Sequence, residues 1–189
     1  MDERNVMWAP VDGSGLEHLR LRQRADGYIA DGVVIGVAGE QPFRIWYEVQ
    51  TDSAWIVRMC RVRLLDEKGQ ELSLRTDGAG HWFAATDQPL PELTGCLDVD
   101  LTATPFTNTL PIRRLELTPG QSAELAVAYI VVPTLEIRPV PQRYTCLERH
   151  STGSGTYRYE GLSSGFTRDL PVDADGLVLD YPGILSRVR

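Results

Sequence analysis

The chain has 189 residues, 42% hydrophobic and 24% charged, with 19 basic residues against 26 acidic ones for a net charge of −7. That length suits one domain with a sizeable core, and the acidic balance argues against nucleic acid and anionic membrane surfaces as default partners. No apolar run reaches the roughly 20 residues that cross a bilayer. Met1-Asp-Glu-Arg-Asn5 lacks the basic and apolar regions of a secretory signal, which predicts cytoplasmic residence.

Taken in order, the chain reads as short strands separated by turns. Residues 1–15 form an entry strand with Trp8, closed by a turn cluster between Pro10 and Gly15. Residues 18–24 alternate strictly and give a strand with one basic face. Asp26-Gly27 marks a hairpin turn into a strand over 28–37, interrupted at Asp31-Gly32. Over 43–50, Phe43, Ile45, Tyr47 and Val49 oppose Arg44, Trp46, Glu48 and Gln50. A strand over 55–65 follows the turn at 51–53, and shorter ones are expected over 72–75 and 82–85.

Residues 95–115, Gly-Cys-Leu-Asp-Val-Asp-Leu-Thr-Ala-Thr-Pro-Phe-Thr-Asn-Thr-Leu-Pro-Ile-Arg-Arg-Leu, carry the densest polar constellation. Strand periodicity sends Leu97, Val99, Leu101 and Ala103 to one face and Cys96, Asp98, Asp100 and Thr102 to the other. Asp98 and Asp100 then stand about 7 Å apart along one face. Pro105 and Pro111 bracket a turn-rich link, after which a second apolar run brings back Arg113 and Arg114. In strand geometry those two arginines cannot share a face, so one meets the acids, and Arg114 is the favoured one.

The valine-rich run 123–132 suits a strand buried on both faces. Pro133, Pro139 and Pro141 then predict an edge or bulged strand over 135–137. Short strands are expected over 144–148, 156–160 and 177–179. The segment Leu90-Pro-Glu-Leu-Thr-Gly-Cys-Leu-Asp-Val-Asp100 echoes Leu170-Pro-Val-Asp-Ala-Asp-Gly-Leu-Val-Leu-Asp180, which suggests repeats of about 1–105 and 106–189 within one domain. The fold class is all-β, with a single large rolled or barrel-like antiparallel sheet favoured over a sandwich because closure removes exposed edges.

Several motifs are set aside on physical grounds. Cys60, Cys96 and Cys146 are odd in number and widely spaced, so they read as buried thiols rather than a disulfide or metal set. His18, His81 and His150 are isolated too, and neither a metal nor a cofactor is expected. Gly161-Leu-Ser-Ser-Gly165 fits a nucleophile elbow letter for letter, but no helix can follow it and no histidine comes after His150, so it is a turn.

The central run closely resembles the signature of a bacterial family named for glycolipid binding, long known as a domain of unknown function. The likeness also covers Gly15-Leu-Glu17, Phe43-Arg-Ile-Trp-Tyr-Glu-Val49, Asp52, Trp55, Arg58 and Asp180-Tyr-Pro-Gly183. It implies a spiral of antiparallel strands wrapped into a barrel-like body, similar to bacterial lipoprotein carriers, and binding of a lipid-like amphiphile. The candidate ligand-binding residues are Trp46, Glu48, Trp55, Arg58, Asp98, Asp100, Asn108, Arg113 and Arg114. Indoles stack on sugar rings, while arginine forks and the asparagine amide suit hydroxyls and acidic head groups. Two other readings stand beside binding. One is a hydrolase using Asp98 and Asp100 as acid and base; the other is a non-catalytic module that assembles with copies of itself.

Overall fold

The computed structural model describes residues 3–188, of which 58% are in strands and 7% in helices, so the all-β expectation holds. Fourteen strands form, in chain order β1 (Glu3–Pro10), β2 (Leu16–Arg24), β3 (Gly27–Ala38), β4 (Gln41–Asp52), β5 (Val57–Leu64), β6 (Glu71–Thr76) and β7 (Trp82–Ala84). There follow β8 (Asp98–Leu101), β9 (Ser122–Val131), β10 (Glu136–Arg149), β11 (Gly155–Gly161), β12 (Phe166–Val172), β13 (Asp180–Tyr181) and β14 (Leu185–Arg187). Strands β1 to β7 make an antiparallel meander, extended at the β1 edge by β14 and then β13 into a nine-stranded sheet. The second sheet has the order β12-β11-β10-β9-β8, and neither sheet closes into a barrel.

Alternation decides which side of each strand is buried. In β4, Ile45, Tyr47 and Val49 are buried while Arg44, Trp46, Glu48 and Gln50 take the outer side. In β2, Leu19 and Leu21 turn inward, and on the outer side Arg20 and Arg22 meet Asp31 of β3 at 3.1 and 2.8 Å. These inward residues join Val99, Leu101, Ala128 and Ile130 of the second sheet in one apolar cluster. On the opposite face of that second sheet, Tyr144, Cys146, Tyr157 and Leu170 form another cluster with Ile112 and Leu117. The valine-rich strand β9 lies between them, and Val127 and Ala128, which point to opposite faces, are both buried.

Strand β3 runs unbroken through Gly32, contrary to the interruption expected there. Gly32 is paired across the ladder with Tyr47, and a Cβ at this position would sit 2.3 Å from the tyrosine ring. Gly36 stands in the same relation to Phe43, at 2.9 Å. The glycines are therefore spaces over which two aromatic rings lie flat across β3, rather than breaks in the strand.

Two other departures concern prolines. The link between Pro105 and Pro111 is helical: a 3-10 turn over Phe106–Asn108 runs into helix α1 (Thr109–Leu115). Pro111 lies in the first turn of α1, where its missing N–H leaves no bond unmade. This helix makes the crossover that allows β8 and β9 to pair in parallel. Pro139 and Pro141 lie inside the 14-residue β10, an interior strand of its sheet. There β10 pairs with β9, while β11 joins only from Gln142 onward. The Pro141 carbonyl accepts from Leu162 N on that open side, so the proline nitrogens face the stretch where no ladder bond is needed.

The echoing segments take different forms. One is a 3-10 turn leading into β8; the other is the end of β12, a turn and the start of β13. All three cysteines are free and buried.

The Gly32 packing generates a direct expectation. Gly32→Ala should lower stability by about 1–3 kcal/mol, the usual range for an overpacked core. A fall in the urea midpoint relative to wild type checks it, and an unchanged midpoint would show that the Tyr47 ring moves aside freely.

Candidate functional site

A groove of about 800 Å³ opens between the β1–β2 turn, the outer end of the β3–β4 hairpin, the segment after β8 and the β13–β14 turn. Trp8, Val34, Phe43, Leu101, Phe166 and Tyr181 give it apolar walls. At its rim Val11, Ile35, Val37 and Ile184 are exposed. Glu17 and the stretch from Asp100 to Asn108 contribute carboxyl, hydroxyl and amide groups, and Asp12, Ser14, Ser164 and three tyrosines add others.

Glu17 is the unusual member. Alternation in β2 places it on the same inward side as Leu19 and Leu21, and it is 3% exposed. Tyr47, on β4, reaches across Gly32 of β3 and donates its hydroxyl to Glu17 Oε1 at 2.6 Å. Thr104 Oγ1 donates to the same oxygen at 2.7 Å and accepts from Phe106 N at 3.0 Å. Glu17 Oε2 has no hydrogen-bond partner among the described residues. Burial pushes the Glu17 carboxyl up to about 7, against the pull of its two hydroxyl donors. The Tyr47 hydroxyl is in turn raised well above its ordinary value by burial and by Glu17.

Asp100 lies where β8 leaves its sheet. Gln142 Nε2 donates to Oδ2 at 2.6 Å and Thr107 Oγ1 to Oδ1 at 3.2 Å, and burial holds this carboxyl above its ordinary value despite both. Asn108 accepts the Tyr144 hydroxyl at 2.8 Å and donates to Pro105 O at 3.1 Å. The short 3-10 turn and its threonine bonds hold both Asp100 and Asn108 at the groove.

Of the residues singled out from sequence, Asp100 and Asn108 line the groove and the other seven do not. Asp98 is fully buried and is gripped by Arg114, Nε to Oδ1 at 3.2 Å and Nη2 to Oδ2 at 2.5 Å. Burial raises the Asp98 carboxyl against the pull of that guanidinium. Arg114 is thus the arginine that meets an acid. Arg113, one position earlier on a helix instead of a strand, swings over the Trp55 ring at 5.3 Å. Trp55 is 3% exposed, stacks on Tyr28 at 4.2 Å and holds a left-handed backbone of φ 64° in the β4–β5 turn. Asp52 closes that turn by accepting from Ala54 N and Ile56 N, and Arg58 donates to its other oxygen at 2.7 Å. Trp46, under Arg63 at 5.7 Å, and Glu48, bonded by Gln50, lie on the outer face of the large sheet.

The residue that sequence reasoning missed is Glu17, although it belongs to the quoted Gly15-Leu-Glu17 run. Its signal was an acid at an inward position of a strictly alternating strand. Among the described residues, no group of three His, Cys, Asp or Glu side chains converges as metal ligands, and no helix is long and apolar enough to cross a membrane.

Residues 5–187 match a protein family described as "Putative glycolipid-binding", and the chain belongs to that family. It is also similar to a crystal structure of a DUF1089 family protein from Pseudomonas aeruginosa. The two share 38% sequence identity and a TM-score of 0.82 over 93% of this chain and 92% of that one. Among curated proteins, none matches.

Two expectations follow from the buried acids. Arg114→Met leaves Asp98 without its counter-charge and should cost about 3–5 kcal/mol. Adding Asp98→Asn should recover much of that loss in chemical denaturation, whereas additive losses would mean the pair is uncoupled. Glu17 has a folded pKa of about 7 against an ordinary 4.5, so folding favours its protonated form. Its contribution is fully present below about pH 4.5 and is lost as pH rises through about 7, a span of about 3 kcal/mol. Glu17→Gln should flatten the fall in denaturation midpoint between pH 5 and 8.

Proposed function

We propose that this protein binds a single lipid-like amphiphile in the groove, in keeping with the glycolipid-binding description of its family. The carrying observation is a cavity of about 800 Å³ in which apolar side chains such as Trp8, Val34 and Phe43 share the lining with the polar groups of Glu17, Asp100 and Asn108. That volume lies within the roughly 300–1,000 Å³ of small-molecule sites and suits one ligand with a chain and a head group. The chain would lie against Trp8, Val34, Phe43 and Phe166, where its apolar area leaves water. The head group would meet Asp100 and Asn108, the two groove-lining residues that sequence already singled out.

The hydrolytic reading through Asp98 and Asp100 finds less support. A pair of carboxyls acting on one glycosidic bond must flank a common space. Asp100 faces the groove, but Asp98 is sealed against Arg114. Binding therefore accounts for more of the geometry than catalysis does.

Native mass spectrometry of protein purified without detergent should reveal a co-purified amphiphile. As a second readout, Ala103→Phe narrows the groove at a lining residue and should weaken binding of a fluorescent fatty-acyl probe by at least about tenfold. A probe that binds the narrowed variant as tightly as wild type would place the ligand elsewhere.

A further inference from the structure

We propose that the end of the molecule at which the groove opens docks shallowly on the surface of a zwitterionic lipid bilayer, so that an amphiphile passes from the membrane into the groove without its chain crossing water. The inference rests on the amphiphile-binding reading and adds the surface from which the ligand is collected. Ten large hydrophobic side chains are exposed among the described residues, and five of them, Val11, Leu16, Ile35, Val37 and Ile184, line this groove. Single exposed aliphatic residues are ordinary on a protein surface, whereas a group of them around an opening marks a contact.

Turns at one end of the large sheet carry the group. Val11 lies in the β1–β2 turn, Ile184 in the β13–β14 turn, and Ile35 and Val37 in the last residues of β3 before its hairpin into β4. Val11 N donates to Ile184 O at 3.0 Å, so the first two turns form one lip. Leu16 faces Ile35 across the β2–β3 ladder, and directly paired residues share a face. Alternation adds Val33 to the outward row of Ile35 and Val37, and it is exposed as well. Apolar side chains on turn tips can enter the head-group region together while the sheet stays in water, since interfacial burial reaches only about 5–10 Å.

Charge decides between a zwitterionic bilayer and the other surfaces that would cover an apolar rim. Asp12 and Glu40 stand on two of the tips, and the neighbouring β5–β6 turn carries Asp66, Glu67 and Lys68. Arg44 and Arg168 flank the tips, and each donates to a backbone carbonyl, that of Leu65 and that of Pro182. Arg138 shares a side of β10 with Glu136. Acids and cations therefore come close to cancelling here, and no basic patch stands ready to hold an anionic lipid surface. A second copy of the chain fits less well. Each copy brings a net charge of −7, and a two-fold contact would crowd the Asp12 and Glu40 tips of both together. A zwitterionic bilayer has no net charge and takes the aliphatic rim without that repulsion.

The test is flotation of the full chain with vesicles of phosphatidylcholine, alone and mixed with phosphatidylglycerol, at low and high salt. Wild type should float with both kinds of vesicle and depend little on salt. Ile35→Asp and, separately, Val11→Asp should lower the ratio of bound to free protein by at least about tenfold. These side chains are 57% and 65% exposed, so the fold itself has little to lose. Leu147→Asp, at an exposed leucine outside the groove, should leave the ratio unchanged. An equal loss in that control would overturn the assignment of the contact to the rim. Flotation that requires phosphatidylglycerol and vanishes in salt would replace apolar docking with adsorption by charge. A vesicle-free dimer in sedimentation velocity, dissociated by Ile35→Asp, would give the rim to a second copy instead. Wild type that takes the fluorescent fatty-acyl probe in solution yet stays off the vesicles would end the docking alone, and failure of both would remove the amphiphile reading with it.

Discussion

The hydroxyl bond from Tyr47 to Glu17 is the constraint around which this molecule is arranged. It spans three strands of the large sheet and is possible only because Gly32, on the strand between, has no side chain. Thr104 completes it from the segment that leaves the second sheet, so one carboxyl oxygen ties the two sheets together at the groove. An acid here costs desolvation free energy that an aliphatic residue would not. What it gives is position: the threonine that bonds it also holds the backbone of Phe106. The same few residues then present Asp100 and Asn108 to the open space.

Much of the architecture could be read directly from the residues, because strands with one face toward an apolar interior must alternate. The inward Ile45, Tyr47 and Val49, the outward basic face of β2 and the doubly buried β9 are instances. Helix α1 was illegible for a physical reason. Its seven residues make only two turns, too few for a 3.6-residue period to emerge, and its proline occupies the one helical region that tolerates proline. Gly32 misled in the opposite way, since a glycine placed for a neighbour's ring looks identical in sequence to a glycine placed for a turn.

The polar residues between 98 and 114 are close in sequence, but the fold divides them between two surroundings. Asp98 and Asp100 share a strand face, yet two residues of rise carry one beneath a helix and the other to the edge of a cavity. Helical geometry separates Arg113 from Arg114 by about 100°, so one covers an indole and the other neutralises a carboxylate. Trp55 and Arg58 belong with Asp52 to a turn at the far end of the same two strands that border the groove. A pattern of residues can thus be tied to a fold without facing the groove. Sequence shows which residues are unusual; only the three-dimensional path shows which of them face the same space.

The pairing of β14 with β1 brings together segments from opposite ends of the described chain. Trp8 is sealed by a bond to the carbonyl of Val178 and by Arg187 over its ring. Tyr181 and Leu185 form part of the groove wall. On a ribosome, which delivers residues from the N-terminus onward, the meander of β1 to β7 can assemble long before this wall exists. The groove is therefore completed only after β13 and β14 have followed the other twelve strands out of the ribosome. A nascent chain will leave Trp8 and its apolar neighbours uncovered until residues 178–187 emerge, which is the interval in which it most needs protection from aggregation.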